Sequence, residues 1–257
     1  MKIAAVAARK GGLTEERRAR RYAACLGIDY VDRRGRSLAR LERDCGYNIW
    51  LVAERDGFYV AQGDTRDRFH LNMAALRWEQ WCRNGQDHLG ALVAGRRPAR
   101  ILDATYGIGS DALMMAAVSG AEVVALEASW PLYAVGKIGL RECDTATLPH
   151  SAAERIYLWH TDAHSYLAAQ ADGSFDIIYF DFMFSRPVKG STNLSPVRRW
   201  GLSTGMTDAI WQQARRVCCG CIVRKERPFG AWLRRHPPDR LYGGKYSKVC
   251  YGVWEHA

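Results

Sequence analysis

No run of about 18 apolar residues occurs in this 257-residue chain, which argues against a membrane-spanning helix. The apolar start, Ile3 to Ala8, is too short for the core of an export signal. Arg9 and Lys10 follow it at once, so it reads as a first buried strand of a cytoplasmic protein. Paired C-x-x-C knuckles are also missing. The eight cysteines include one cluster, Cys218, Cys219 and Cys221, whose C-C-x-C spacing is unlike a tetrahedral zinc site and reads as a buried strand of free thiols. His160 and His164 are four apart, but no H-E-x-x-H helix accompanies them, so no metal is expected. Internal repeats and low-complexity tracts are absent. Acid is scarce beside base: 27 Asp and Glu against 37 Lys and Arg, a formal charge of +10. The excess is largely arginine, in clusters such as Arg17, Arg18, Arg20 and Arg21, or Arg33, Arg34 and Arg36. Such a balance suits a polyanion such as RNA. It suits equally a plain surface biased toward arginine, and composition alone does not choose.

What is present is enough apolar residue, 48%, for a real core. Up to about residue 84 the pattern predicts a small α/β domain. It has strands at 3–8, 29–31, 47–52 and 58–61, a helix from Thr14 to Leu26, and a second helix capped by Ser37. A helical connection runs from Asn72 to Cys82. From 85 to 257 strands and helices alternate, which implies a parallel sheet covered on both faces. The predicted strands are 101–103, 122–127, 156–159, 174–180 and 217–223. The chain closes in a hairpin around Gly243-Gly244 that adds an antiparallel edge.

Two segments carry chemistry. The first is Asp103-Ala104-Thr105-Tyr106-Gly107-Ile108-Gly109-Ser110-Asp111, a glycine loop between an apolar strand and a helix. Glycines let backbone approach a ligand, and the helix start presents bare N–H groups. Glu127 ends the next strand, where an acid accepts hydrogen bonds from ribose hydroxyls. The constellation suits a dinucleotide or a methyl donor. Two acids in the loop, Asp103 and Asp111, would repel a pyrophosphate, whereas they suit the ammonium and cationic sulfur of S-adenosylmethionine. Asp162, after the third strand of this half, is placed to accept from an adenine amino group. The second segment is Phe175-Asp176-Ile177-Ile178-Tyr179-Phe180-Asp181-Phe182-Met183-Phe184. An acid at a strand's carboxyl end can hold an exocyclic amine, and Phe182 and Phe184 can stack on a base. Core packing of these aromatics is the alternative. The long segment from Arg186 to Thr204 reads as a lid over the acceptor or a surface excursion, and Lys225 as lying just after a strand.

These two segments, together with Gly244-Lys245-Tyr246-Ser247-Lys248, Tyr251-Gly252 and Phe69-His70-Leu71-Asn72-Met73-Ala74, resemble the S-adenosylmethionine-dependent methyltransferase family that includes RsmJ, the small-subunit ribosomal RNA guanine N2-methyltransferase. The resemblance is closest to its Gram-positive branch and covers nearly the whole chain. It implies a Rossmann-like class I methyltransferase sheet after the small α/β domain. It also implies S-adenosylmethionine as cofactor and ribosomal RNA as partner. By position, Asp103, Thr105, Gly107, Gly109 and Asp111 would line the donor, Glu127 and Ala128 its ribose side, and Asp162 and Ala163 its adenine. Asp181, Phe182 and Phe184 would form the methyl-transfer site. Phe182 stands where the family has proline, a difference that alters the loop backbone. Competing functions are a methyltransferase of a small molecule or protein, a non-catalytic donor-binding module, and a dehydrogenase.

Overall fold

The computed structural model describes residues 2–69, 73–143, 148, 151–182, 195–202, 205–243 and 248–256. The chain divides into two compact units, Met1–His70 and Leu71–Ala257. The division falls before the helix Met73–Asn84 rather than after residue 84. That helix carries Arg77, whose guanidinium binds Asp87 at 2.9 Å and also Asp111, so it belongs with the second unit.

In the first unit, β1 (Ile3–Ala7), α1 (Leu13–Leu26), β2 (Asp29–Tyr30), α2 (Leu38–Cys45) and β3 (Ile49–Glu54) alternate. β4 (Gly57–Gln62) and β5 (Thr65–Asp67) close a sheet of order β2-β1-β3-β4-β5. The helix ends obey their sequence signals. Ser37 caps α2 by accepting from the Arg40 N–H, and Gly27 and Gly46 end α1 and α2 in the left-handed conformation. Trp50, Val52, Val6 and Leu41 pack as the core. β5 carries no alternation that marks it in the sequence; pairing with β4 creates it.

The second unit begins with α3 (Met73–Asn84) and α4 (His88–Ala94). Five parallel strands follow: β6 (Arg100–Asp103), β7 (Glu122–Glu127), β8 (Ile156–His160), β9 (Phe175–Phe180) and β10 (Cys218–Glu226). Between them lie α5 (Ser110–Ser119), α6 (Trp130–Arg141), α7 (Ser151–Glu154), α8 (Ala163–Ala168), α9 (Ser195–Trp200) and α10 (Asp208–Val217). After α11 (Ala231–Arg235) come β11 (Arg240–Gly243) and β12 (Cys250–Glu255). The sheet order is β11-β12-β10-β9-β6-β7-β8. The hairpin docks through β12, which runs antiparallel beside β10, and β11 forms the edge beyond it. The antiparallel strand therefore lies one place inside the edge.

Period-two alternation sorts the sheet's side chains into two cores. Ile101, Tyr179, Val223 and Val253 face α3, α4 and α5, while Leu102, Ile178, Phe180 and Ile222 face α8, α10 and α11. β10 is longer than its apolar run suggests. Lys225 pairs with Tyr251 and Glu226 with Cys250, so Lys225 belongs to the strand rather than following it. Among the described residues no helix is long and apolar enough to cross a membrane.

Candidate functional site

β6 has β7 on one side and β9 on the other, so the chain leaves its carboxyl end in opposite directions. A crevice opens at such a reversal in an open α/β sheet. The carboxyl ends of these strands are Asp103, Glu127 and Phe180-Asp181.

Asp103 is 1% exposed. Its Oδ1 accepts from the Thr105 N–H at 3.0 Å, and its Oδ2 has no hydrogen-bond partner among the described residues. Burial, with the carboxylates of Asp111, Asp181 and Glu127 nearby, holds its pKa well above the usual range. An orphaned, buried carboxylate oxygen at a strand end is what a cationic ligand group would satisfy. The loop after it is shaped by Glu127, whose Oε2 accepts from the Gly107 N–H at 3.0 Å and whose Oε1 accepts from the Ser129 N–H at 2.7 Å. Burial outweighs those hydrogen bonds and pushes Glu127 up to about 7. Gly107 and Gly109 have φ of 59° and 81°. A Cβ on Gly109 would also lie 2.3 Å from the Tyr106 hydroxyl, so the second glycine makes room for a buried ring as well as for the turn. That requirement was invisible in the motif.

Asp111 is placed differently from Asp103. Arg77 binds its Oδ1, while the Lys225 ammonium at 3.2 Å and the Tyr179 hydroxyl at 2.8 Å bind its Oδ2. Lys225 and Arg77 hold its pKa well below the carboxylate range despite burial. The structure thus gives Asp111 to a buried ion network instead of leaving it as a free charge for a donor. Lys225 reaches on to Asp181, Nζ to Oδ2 at 2.7 Å. The Asp181 N–H donates to the Thr105 hydroxyl at 2.6 Å, which ties the end of β9 to the glycine loop. Burial raises the Asp181 pKa and Lys225 opposes the rise. Its side chain keeps 27% of its surface open.

Phe182 does not offer a ring face. It is buried and stacked on Phe180, centroids 5.5 Å apart at 14°. Its apolar ring fills the core on the α10 side, where the family's proline would place less surface. Phe184 and Met183 lie outside the described residues, as do most of 186–204, His70, Leu71, Asn72 and 244–247. The described part of the 186–204 excursion, α9, is tied down: the Ser129 hydroxyl donates to the Trp200 carbonyl at 2.6 Å. Asp162 is exposed and caps α8, accepting from the Ser165 N–H at 2.9 Å, beside buried Ala163. Ala128 is half-buried, and His160 Nε2 lies 3.3 Å from its carbonyl while the imidazole stacks on Tyr133. His160 ends β8 and His164 sits in α8, and among the described residues no group of three His, Cys, Asp or Glu is placed to hold a metal. Cys218 and Cys221 are buried in β10, and burial raises both thiols, to about 12 and about 11. Tyr179 lies in the second segment but has no assigned role there, and Arg77 lies in no motif; only the packing of α3 against α5 reveals Arg77.

The chain is similar to several known proteins. Over 205 residues, 78% of this chain and 79% of the relative, the chain is 26% identical to YpiP of Bacillus subtilis, an uncharacterised protein. It is 31% identical over 160 residues to ribosomal RNA small subunit methyltransferase J of Laribacter hongkongensis, covering 61% of this chain and 56% of that protein. The corresponding Aeromonas hydrophila protein is 30% identical, with 64% of its length covered. The match thus spans less than two thirds of these two methyltransferases. A crystal structure of a SAM-dependent methyltransferase from Neisseria gonorrhoeae shares the fold, with a TM-score of 0.64 over 98% of this chain and 95% of that one at 19% identity. The family described as "Putative SAM-dependent methyltransferase" matches residues 41–195, well over half of the sequence. The chain belongs to that family and is an S-adenosylmethionine-dependent methyltransferase of Rossmann-like class I fold.

Proposed function

We propose that this methyltransferase N-methylates an exocyclic amine of a nucleobase, guanine N2 in ribosomal RNA. The observation that carries the proposal is Asp181: a part-open carboxylate at the carboxyl end of β9, bonded through its own N–H to the donor loop. The family relation to ribosomal RNA methyltransferases and the charge of +10 support RNA as the substrate.

The residues present fit the methyl donor. Asp103 Oδ2 would take the ammonium of its amino-acid end, with Thr105, Gly107 and Gly109 forming the cradle. Glu127 would hold the ribose hydroxyls beside Ala128, and Asp162 and Ala163 would border the adenine. When bound, S-adenosylmethionine supplies a methyl carbon made electrophilic by a cationic sulfur. The protein's own contribution is position and proton handling. Asp181 accepts an N–H of the target amine and so orients its lone pair; fixing reactants in this way can contribute roughly 7–11 kcal/mol in favourable cases. Its raised pKa suits it to take the proton that the amine loses. Lys225 keeps that carboxylate in place, and Asp111 with Arg77 keeps Lys225 in place.

The test is transfer of labelled methyl groups to stripped ribosomal RNA and to intact small subunits, followed by mass spectrometry of nucleosides. N2-methylguanosine is the expected product. Donor binding with no methyl entering any RNA state would reject the RNA reading and favour a small-molecule or protein acceptor.

A further inference from the structure

The first unit carries a group of cations, Arg9, Arg33 and Arg66, that form no ion pair with a carboxylate among the described residues. Arg33, just past β2, is 6% exposed. Its Nη1 donates to the Ala7 carbonyl at 3.0 Å and its Nε to the Arg36 carbonyl at 2.9 Å, and it also bonds the Tyr59 side chain. These partners are neutral. The other charges that act on it most strongly are two more cations, Arg66 and Arg9. Both are exposed; Arg9 Nε donates to the Gly35 carbonyl at 3.1 Å, and the Arg66 guanidinium lies 6.0 Å from the Tyr59 ring centroid. Nearby acids are engaged elsewhere: Asp32 pairs with Arg34 at 3.1 Å, and Asp44 pairs with Arg36 at 3.1 Å.

A buried guanidinium is normally matched by a carboxylate, because an uncompensated buried charge is costly. Here the matching charge is missing from the described residues, and two further guanidiniums stand in its place. The turn that carries Arg33, and whose Gly35 carbonyl accepts from Arg9, has a left-handed backbone. Arg34 adopts φ of 44° and Gly35 φ of 71°, and the Arg34 N–H donates to Asp32 Oδ1 at 3.2 Å. Arginine forks match phosphate oxygens with two parallel hydrogen bonds.

We propose that Arg9, Arg33 and Arg66 form a phosphate-binding site on the first unit, filled by a phosphodiester of the RNA substrate. Arg9 and Arg66 make the outer contacts, and Arg33 is the fixed charge behind them. The phosphate chemistry follows from the cluster itself; its source in RNA rests on the function proposed above.

The experiment compares the full-length protein with a double variant, Arg9→Gln with Arg66→Gln, which leaves buried Arg33 and the fold around it intact. One arm measures binding of a labelled single-stranded RNA across a salt series. Neutralising one phosphate of a single strand contributes about 0.7 to the slope of log affinity against log salt, and the site holds one phosphodiester, so the double variant should lose about 0.7. That corresponds to about 5-fold weaker binding at about 0.1 M salt. Affinity for S-adenosylhomocysteine, bound by the other unit, should not change. The second arm measures the rise in melting temperature given by pyrophosphate, expected in the parent and lost in the variant. Parent protein that binds no RNA would reject the RNA substrate, and a pyrophosphate effect confined to the parent would then assign the site to a free phosphate compound. Equal salt slopes together with equal pyrophosphate shifts in the two proteins would overturn the site.

Discussion

Replacing Lys225 by methionine tests the central claim about the second unit, that one ammonium organises two carboxylates at the mouth of the site. Lys225 Nζ lies 2.7 Å from Asp181 Oδ2 and 3.2 Å from Asp111 Oδ2. The three side chains are 21%, 27% and 13% exposed, so solvent screens them only in part. Gross attraction at an effective dielectric constant near 20 is about 5–6 kcal/mol per pair, most of it offset by desolvation. Removing one member of a buried pair costs about 3–5 kcal/mol, because the partner charge is stranded. Asp111 keeps Arg77, so the cost falls mainly on Asp181. For a unit of this size each kcal/mol is worth about 2–4 °C, so its melting transition should fall by roughly 6–20 °C. Loss of the ammonium also removes what opposes the burial-driven rise of the Asp181 pKa, so the acidic limb of the methyl-transfer pH profile should move to higher pH. Lys225→Arg should restore part of both. Calorimetric melting and a pH series of single-turnover rates provide the readouts. A variant within about 1 kcal/mol of the parent, with an unmoved pH limb, would refute the network as described.

Asp103→Asn should weaken S-adenosylhomocysteine binding by about 1.5–3 kcal/mol, roughly ten- to a hundredfold by titration calorimetry, since a charge-assisted bond to an ammonium is lost. Glu127, raised from 4.5 to about 7, favours its neutral form in the fold. Its contribution to stability is therefore full below pH 4.5 and lost as pH rises through 7, about 3 kcal/mol in all, and Glu127→Gln should flatten that part of the pH–stability curve. Phe182→Ala should cost about 3–5 kcal/mol of stability, because the ring is core; a stable variant defective only in methyl transfer would instead restore the base-stacking role that the sequence suggested.

Much of this protein was legible in one dimension because the relevant forces are local. Glycine and serine signals marked the ends of α1 and α2, and apolar runs ending in Asp103, Glu127 and Asp181 marked three parallel strands and the rim of the crevice. The acids of the glycine loop favoured a methyl donor over a dinucleotide, and the family resemblance implied S-adenosylmethionine. Partner choice was not legible. Asp103 and Asp111 look equivalent in sequence, yet one ends a strand with an orphaned oxygen and the other is enclosed by Arg77, Lys225 and Tyr179, each from a different element. Phe182 could equally have been a stacking platform, but alternation along β9 and the packing of α10 turn its ring inward. Sequence determined which strand ends carry charge, because hydrophobic period and capping are short-range. Only the tertiary structure decided which of those charges remain uncompensated, because neutralisation depends on groups brought together from distant parts of the chain.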